Sequence, residues 1–359
     1  MELALISIIV PVFNEQKHLA ECLDSLLKLD YPVHQREIIV VDNNSTDDSA
    51  QIVKNYPVRY VFAGRPGAAA ARNKGAEVAK GDILAFVDAD CLVYENWLDE
   101  IHRVLSDPDI DAAMGFAEGI NGTLWAEFRQ RLYEVGIEKE VQGSTISKVA
   151  AGTFAIRRNV FIASDGFGED FFRAHDTEFG IRLHSQRYKV VFAPQIRVRH
   201  INPTTLQEIT ETRTLQGLFA YKIARKYNGV FQRKYFPEFD RWYYRYIFSE
   251  NRRKDLLVLN ALAFFLHHFI SISIVVLEKL HFLGFRESLF ALFLFIFDCC
   301  FLHGKVLARL LERGSCLSPL VCRPTLMRHL EIIGCLPGDF STRHFVVNDT
   351  NRRMTRTPF

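Results

Sequence analysis

At 359 residues and a formal net charge of +2, the chain can bury one large domain or two modest ones, and it is too nearly neutral to be a polyanion binder as a whole. Its seven cysteines are scattered with no Cys-x-x-Cys, so they indicate neither a disulfide framework nor a zinc site, and a reducing compartment suits them better. The start, MELALISIIVPVFNE, lacks the basic stretch of a signal peptide and reads as a first strand.

Ser7 to Val12, SIIVPV, reads as a buried strand, and Phe13-Asn14-Glu15 ends it. Leu19, Cys22, Leu23, Leu26 and Leu27 recur at helical spacing, predicting a helix over about Lys17 to Leu29 that Asp30-Tyr31-Pro32 stops. A second strand, Glu37 to Val41, runs into Asp42-Asn43-Asn44-Ser45-Thr46-Asp47-Asp48, where Thr46 or Asp47 can cap a helix to about Lys54. Val58 to Phe62 is a third strand. Gly64-Arg65-Pro66-Gly67 then turns the chain into an alanine-rich helix, Ala68 to Ala79, carrying Arg72, Asn73 and Lys74.

The next stretch, Gly81 to Cys91, organises the rest. Five apolar residues, Ile83 to Val87, lead straight into Asp88 and Asp90. The carboxyl end of a parallel strand is where open α/β sheets bind ligands. Two carboxylates there repel each other unless a cation or a donor-rich ligand compensates them, and a hard divalent ion bridging to phosphates does so naturally. A solvated turn is the plain alternative. Alternating strands and helices predict a parallel α/β sheet with the ends carrying Asp42 and Asp88 side by side.

SIIVPVFNE, VVDNNSTDDS and RPGAAAARNKGAEVAKGDILAFVDADC, in that order, resemble the family-2 glycosyltransferases of the GT-A fold, a Rossmann-like, mostly parallel sheet flanked by helices. The resemblance covers about residues 5 to 200. It implies that Pro11, Phe13, Asn14 and Glu15 line the nucleotide of a nucleotide-sugar, that Asp42 binds the base (usually uracil), and that Arg72 lies on the donor side. It also implies that Asp88 faces the ribose and Asp90 holds a divalent metal, Mn or Mg. A helix-capping role for Asp42 stays open. His175-Asp176-Thr177-Glu178 resembles the acidic motif carrying the general base, with His175 where a Glu is common; Asp176 is the base and Glu169-Asp170 a competing pair. His200 resembles a histidine that completes the metal site, against the plainer reading of a strand-end surface residue.

Beyond residue 203 the character changes. Thr204 to Asn228 reads as a helix, and Tyr221 to Lys254 interleaves basic and aromatic residues, a pattern suited to nucleic acid or to an anionic bilayer. The uncharged run Leu256 to Leu277 decides for membrane over nucleic acid: about 22 residues at 1.5 Å rise span roughly 33 Å. A second run, Leu289 to Leu302, is interrupted by Asp298. Arg252, Arg253 and Lys254 before the first run and Lys305, Arg309 and Arg313 after the second predict a membrane hairpin with both ends, and the catalytic domain, cytoplasmic. A buried helical pair is the alternative.

The expected organisation is a glycosyltransferase domain over 1–203, an interfacial segment over 204–254, the two hydrophobic helices over 255–311 and a polar tail over 312–359. The expected activity is inverting transfer from a nucleotide-sugar, a UDP-sugar by the resemblance, to a glycan or lipid-linked acceptor. Two alternatives stand beside it. A processive polysaccharide synthase of the same fold carries Gln-x-x-Arg-Trp, whereas Glu238-Phe239-Asp240-Arg241-Trp242 has Glu first. A non-catalytic relative does not need Asp88, Asp90 and Asp176 together. The segment Asp111 to Ser147, with Trp125, Arg129 and Tyr133 on one helical face, is the expected specificity region.

Overall fold

The structure is a computed structural model that describes residues 3–227, 255–280 and 286–312. The Glu238–Trp242 motif, most of the basic-aromatic segment and the C-terminal tail lie outside the described residues.

Eight strands form one sheet: β1 (Ile6–Val12), β2 (Arg36–Asp42), β3 (Arg59–Phe62), β4 (Ile83–Val87), β5 (Cys91–Val93), β6 (Ala112–Gly119), β7 (Thr153–Arg157) and β8 (Val190–His200). Their order is β3-β2-β1-β4-β7-β6-β8-β5. The first four are parallel, β7 runs antiparallel to both β4 and β6, and β8 is parallel to β6. β8 is one strand from Val190 to His200, with a register shift against β6 between Met114 and Phe116. The ends of β2 and β4 share one edge of the sheet but are not adjacent. β1 pairs with both, so Asp42 and Asp88 lie one strand apart, about 10 Å at the usual strand spacing.

The period of two is visible in β1. Ile6, Ile8, Val10 and Val12 join one core, while Ile9 joins the other. The first core is closed by α1 (Leu19–Leu27) and by the Trp97, Leu98, Ile101 and Leu105 face of the later helix over 97–105. After β2 comes α2 (Ser49–Val53), starting two residues beyond Asp47. The second core takes α3 (Ala68–Val78), whose small residues let it sit close on the sheet; a Cβ on Gly75 would lie 2.5 Å from an Ile9 methyl. In chain order there follow α4 (Trp97–Leu105), α5 (Leu124–Glu140), α6 (Arg158–Ala163), α7 (His175–Ser185) and α8 (Leu206–Lys226).

The last two helices, α9 (Asp255–Leu280) and α10 (Arg286–Glu312), pack on α8 and on the sheet domain. Gly217 of α8 and Gly304 of α10 bring the two backbones into contact, since a Cβ at either would lie within 2.0 Å of the other helix's carbonyl oxygen. Ala263, Leu266, Ile270, Ile274 and Leu277 of α9 are buried at helical spacing. Trp125 of α5, expected in a specificity region, is instead core and stacks on Phe293 with centroids 6.3 Å apart. Among the described residues no helix is long and apolar enough to cross a membrane. The polar residues after the second hydrophobic run turn inward: Lys305 and Arg309 are buried, and Arg309 Nη1 donates to Tyr221 Oη at 3.2 Å.

Candidate active site

The nucleotide-side residues sit on the loops after β1 and β2. Asn14 adopts a left-handed backbone (φ 55°), and its side-chain oxygen accepts from the Thr46 N–H at 2.8 Å, tying the two loops together. Phe13 is 54% exposed over this edge. Asp42 is buried and already occupied: Oδ1 accepts from the Ser45 N–H and Oδ2 from the Tyr60 hydroxyl. It therefore caps a turn, not a helix. Asn43, to which the sequence reading assigned nothing, is the pin of this wall. Its amide donates to the Ala63 and Arg65 carbonyls and accepts from Gly67 N at 2.6 Å, fixing the loop into α3.

Asp88 and Arg72 form a close ion pair in which Arg72 is almost fully buried and Asp88 partly open. Arg72 also donates from Nη1 to His175 Nε2 at 2.8 Å. Burial, and after it the positive charges of Arg72 and Arg173, hold His175 well below the usual histidine range, so it is a neutral acceptor. Arg72 thus works from beneath the site, setting Asp88 and the start of α7. Gly152 of the loop before β7 makes room for this: a Cβ there would meet Asp88 Oδ2 at 2.6 Å.

Asp90 and His200 meet across the β5–β8 pairing, with Oδ2 3.5 Å from Nε2. His200 Nδ1 lies 3.1 Å from Asn202 Oδ1, which can only accept; Nδ1 is then a donor, and Nε2 is the ring nitrogen turned to Asp90. Burial opposes charge on both groups, yet their contact wins, with Asp90 below and His200 above its ordinary pKa. Burial, then Asp90, Asp88 and Asp47, push Glu15 up to about 7. Carboxylate oxygens and one oriented imidazole under mutual repulsion fit a divalent manganese- or magnesium-type cation. The Cys91 sulfur lies with Asp90 and His200, their ligand atoms all within 4.8 Å, but it is buried and directed to Asp90 Oδ1 at 3.6 Å.

Asp176 lies in the first turn of α7, behind Ala174 in a left-handed conformation (φ 60°). Burial raises its pKa, while the Thr177 N–H on Oδ1 (2.8 Å) and the Arg72 charge act the other way. The competing pair is turned aside: Arg65 bridges Glu169 (2.7 Å) and Asp170 (3.3 Å), and Asp170 is 93% exposed. Glu178, readable from the sequence only as a dipole complement, is fully buried and accepts from Arg182, Lys226 Nζ and Tyr227 Oη, the last two at 2.7 Å. Burial opposes its charge, but these three partners hold its pKa below the usual carboxylate range. It locks α7 to the end of α8, a contact between residues 48 apart that no local pattern announces. Arg129 of α5 and Arg173 before α7 make no ion pair or hydrogen bond among the described residues.

Residues 7–164 match the family model described as glycosyl transferase family 2. The chain is 27% identical over 202 residues to the glycosyltransferase AglE of Haloferax volcanii, covering 54% of this chain and 66% of the relative. It is 36% identical over 126 residues to a poly(ribitol-phosphate) beta-glucosyltransferase of Bacillus spizizenii, covering 33% and 20%. This chain therefore spans under two thirds of these curated relatives. In fold it is similar to the mannosyltransferase PcManGT of Pyrobaculum calidifontis, solved with GDP-Man and Mn2+, with a TM-score of 0.59, 16% identity and coverage of 86% of this chain and 88% of that one.

Proposed function

We propose that the chain, whose residues 7–164 match the glycosyl transferase family 2 model and whose fold is similar to that of PcManGT, is a metal-dependent inverting glycosyltransferase that moves a sugar from a UDP-sugar to a hydroxyl of a lipid-linked or cell-surface glycan precursor. The observation that carries this is the pairing of two chemistries at one sheet edge. The Asp90–His200 pair stands two residues along the chain from Asp88, and the ion pair of Asp88 with Arg72 leads on to His175, the neighbour of Asp176.

Asp90 and His200 would hold the cation, which supplies charge stabilisation to the departing nucleoside diphosphate. Phe13, Asn14 and the Asp42 loop wall the base, and Pro11 and Glu15 continue that wall. Asp88, held by Arg72, receives the ribose. Asp176 takes the proton of the acceptor hydroxyl as its oxygen attacks the anomeric carbon from the face opposite the diphosphate. A raised pKa suits that task, because a stronger base removes the proton more readily.

Thermal stabilisation by nucleotide-sugars tests the reading. With manganese present, a UDP-sugar at a hundredfold excess over its Kd is expected to raise Tm by about 4 °C, and chelation should abolish the shift. No shift with any of the UDP-, GDP-, CMP- and dTDP-sugars would remove it; a shift with GDP-sugars alone would move the donor.

The membrane reading takes a docking form. Phe265 and Ile272 of α9 and Phe295 of α10 are each more than half exposed, and Arg252, Arg253 and Lys254 precede α9 in the sequence. An apolar helix face that follows a basic cluster in the sequence suits the interface of an anionic bilayer at the cytoplasmic face. The full chain is expected to stay with membranes in high salt and to need detergent for release. Release by salt alone would reduce the attachment to charge.

A further inference from the structure

Cys91 is a free thiol, buried beside the Asp90–His200 pair. On β5 it is the register partner of His200 on β8, and residues directly opposite on antiparallel strands send their side chains to the same face of the sheet. Asp90 precedes it, and the Asp90 carbonyl accepts from the Ile201 N–H at 3.1 Å, which holds the acidic turn against the end of β8. A carboxylate, a thiol and an imidazole therefore converge, with one ligand atom of each within 4.8 Å of the others. We propose that this cluster binds a zinc-class ion through Asp90, Cys91 and His200, and that such an ion displaces the manganese-type ion of the transfer reaction.

Spacing is the first support. Asp90 Oδ1 stands 3.6 Å from the Cys91 sulfur, and Oδ2 stands 3.5 Å from His200 Nε2. Zinc bonds of about 2.3 Å to sulfur and about 2.0 Å to nitrogen or oxygen set tetrahedral ligand atoms roughly 3.3 to 3.5 Å apart. Orientation is the second, because Asn202 Oδ1 at 3.1 Å from Nδ1 holds the imidazole with Nε2 toward the cluster. Asp90 and His200 are partly open, so an ion can enter from the cleft while the sulfur stays covered. Cys22 does not compete, since its sulfur is directed to the Asp88 carbonyl at 3.7 Å. A thiolate favours zinc and cobalt, whereas manganese and magnesium favour oxygen. On binding, the S–H bond breaks, its proton goes to solvent and a sulfur–metal bond forms, with no change of oxidation state. Competition with manganese rests on the glycosyltransferase reading above; the three-ligand site stands on its own geometry.

Cobalt(II) titrated into the reduced full chain tests the site, because a thiolate ligand gives a sulfur-to-cobalt charge-transfer band in the near ultraviolet. The band is expected in the parent, and zinc or excess manganese should erase it. It should be lost in Cys91→Ser and in Asp90→Ala. Zinc affinity should fall more than about 100-fold in Cys91→Ser, beyond the 10- to 100-fold that loss of a merely supporting contact costs. Cys91→Ala gives the same reading if the buried serine hydroxyl impairs folding. Absence of the band in the parent overturns the proposal, as does a band of parent strength in Cys91→Ser or Asp90→Ala, which would belong to another cysteine. A band that zinc erases and manganese does not would overturn the competition. UDP binding with manganese is measured beside it. Its absence in the parent removes the glycosyltransferase reading whatever the cobalt band shows; its presence without the band removes this proposal alone.

Discussion

Asp176→Asn is expected to lower sugar transfer by about 10²- to 10⁴-fold while leaving donor and metal binding intact. The amide keeps the size of the carboxylate and can still accept from the Thr177 N–H, so the start of α7 should survive. What is lost is the capacity to take a proton. The same role fixes a pH dependence. Only ionised Asp176 is a base, and burial raises its pKa above the ordinary carboxylate value. Transfer should therefore fall as pH drops through that raised value, while UDP binding persists over the same interval. Asp170→Asn, at an exposed residue held by Arg65, should be mild. Single-turnover transfer alongside UDP titration separates the cases. A severe loss in Asp170→Asn with a mild one in Asp176→Asn would move the base, and full activity in both would leave it unassigned.

For Asp90→Ala the expected loss is in binding. Charge stabilisation by a bound divalent ion amounts to several kcal/mol, so manganese should no longer improve UDP affinity, a drop of at least about 100-fold. The fold should hold. The side chain faces the cleft, and the structural duty of the residue is its backbone carbonyl, which accepts from the Ile201 N–H at 3.1 Å whatever the side chain. Removing one of several crowded carboxylates also relieves repulsion on Glu15. Calorimetric titration of UDP with and without manganese, beside a thermal melt, reads both halves. A variant that binds UDP as tightly as the parent, with the same response to manganese, would show that the cation is held elsewhere.

What the sequence determined by itself was local. The apolar runs of β1, β2 and β4 mark their strands because a parallel strand buried on both faces holds a polar residue only where it is hydrogen-bonded, as Ser7 is to Glu37. The spacing of Asp176, Phe179, Gly180 and Leu183 places the acid at a helix start for the same kind of reason, since periodicity is a property of neighbours along the chain. The three motif blocks lie, in order, within residues 7–164, the stretch that matches the glycosyl transferase family 2 model. Partners distant in the chain left no such local trace; only the resemblance joined His200 to Asp90, a pair that the fold brings together across β5 and β8. Only the fold inserts β1 between the ends bearing Asp42 and Asp88 and buries Arg72 beneath Asp88 with His175 as its second acceptor. Only the fold sends Trp125 into the core, buries Lys305 and turns Arg309 toward Tyr221 of α8, where hydropathy alone anticipates the flank of a membrane hairpin. A hydropathy pattern records that a side chain leaves water; whether it enters lipid or protein depends on which surface tertiary packing sets against it.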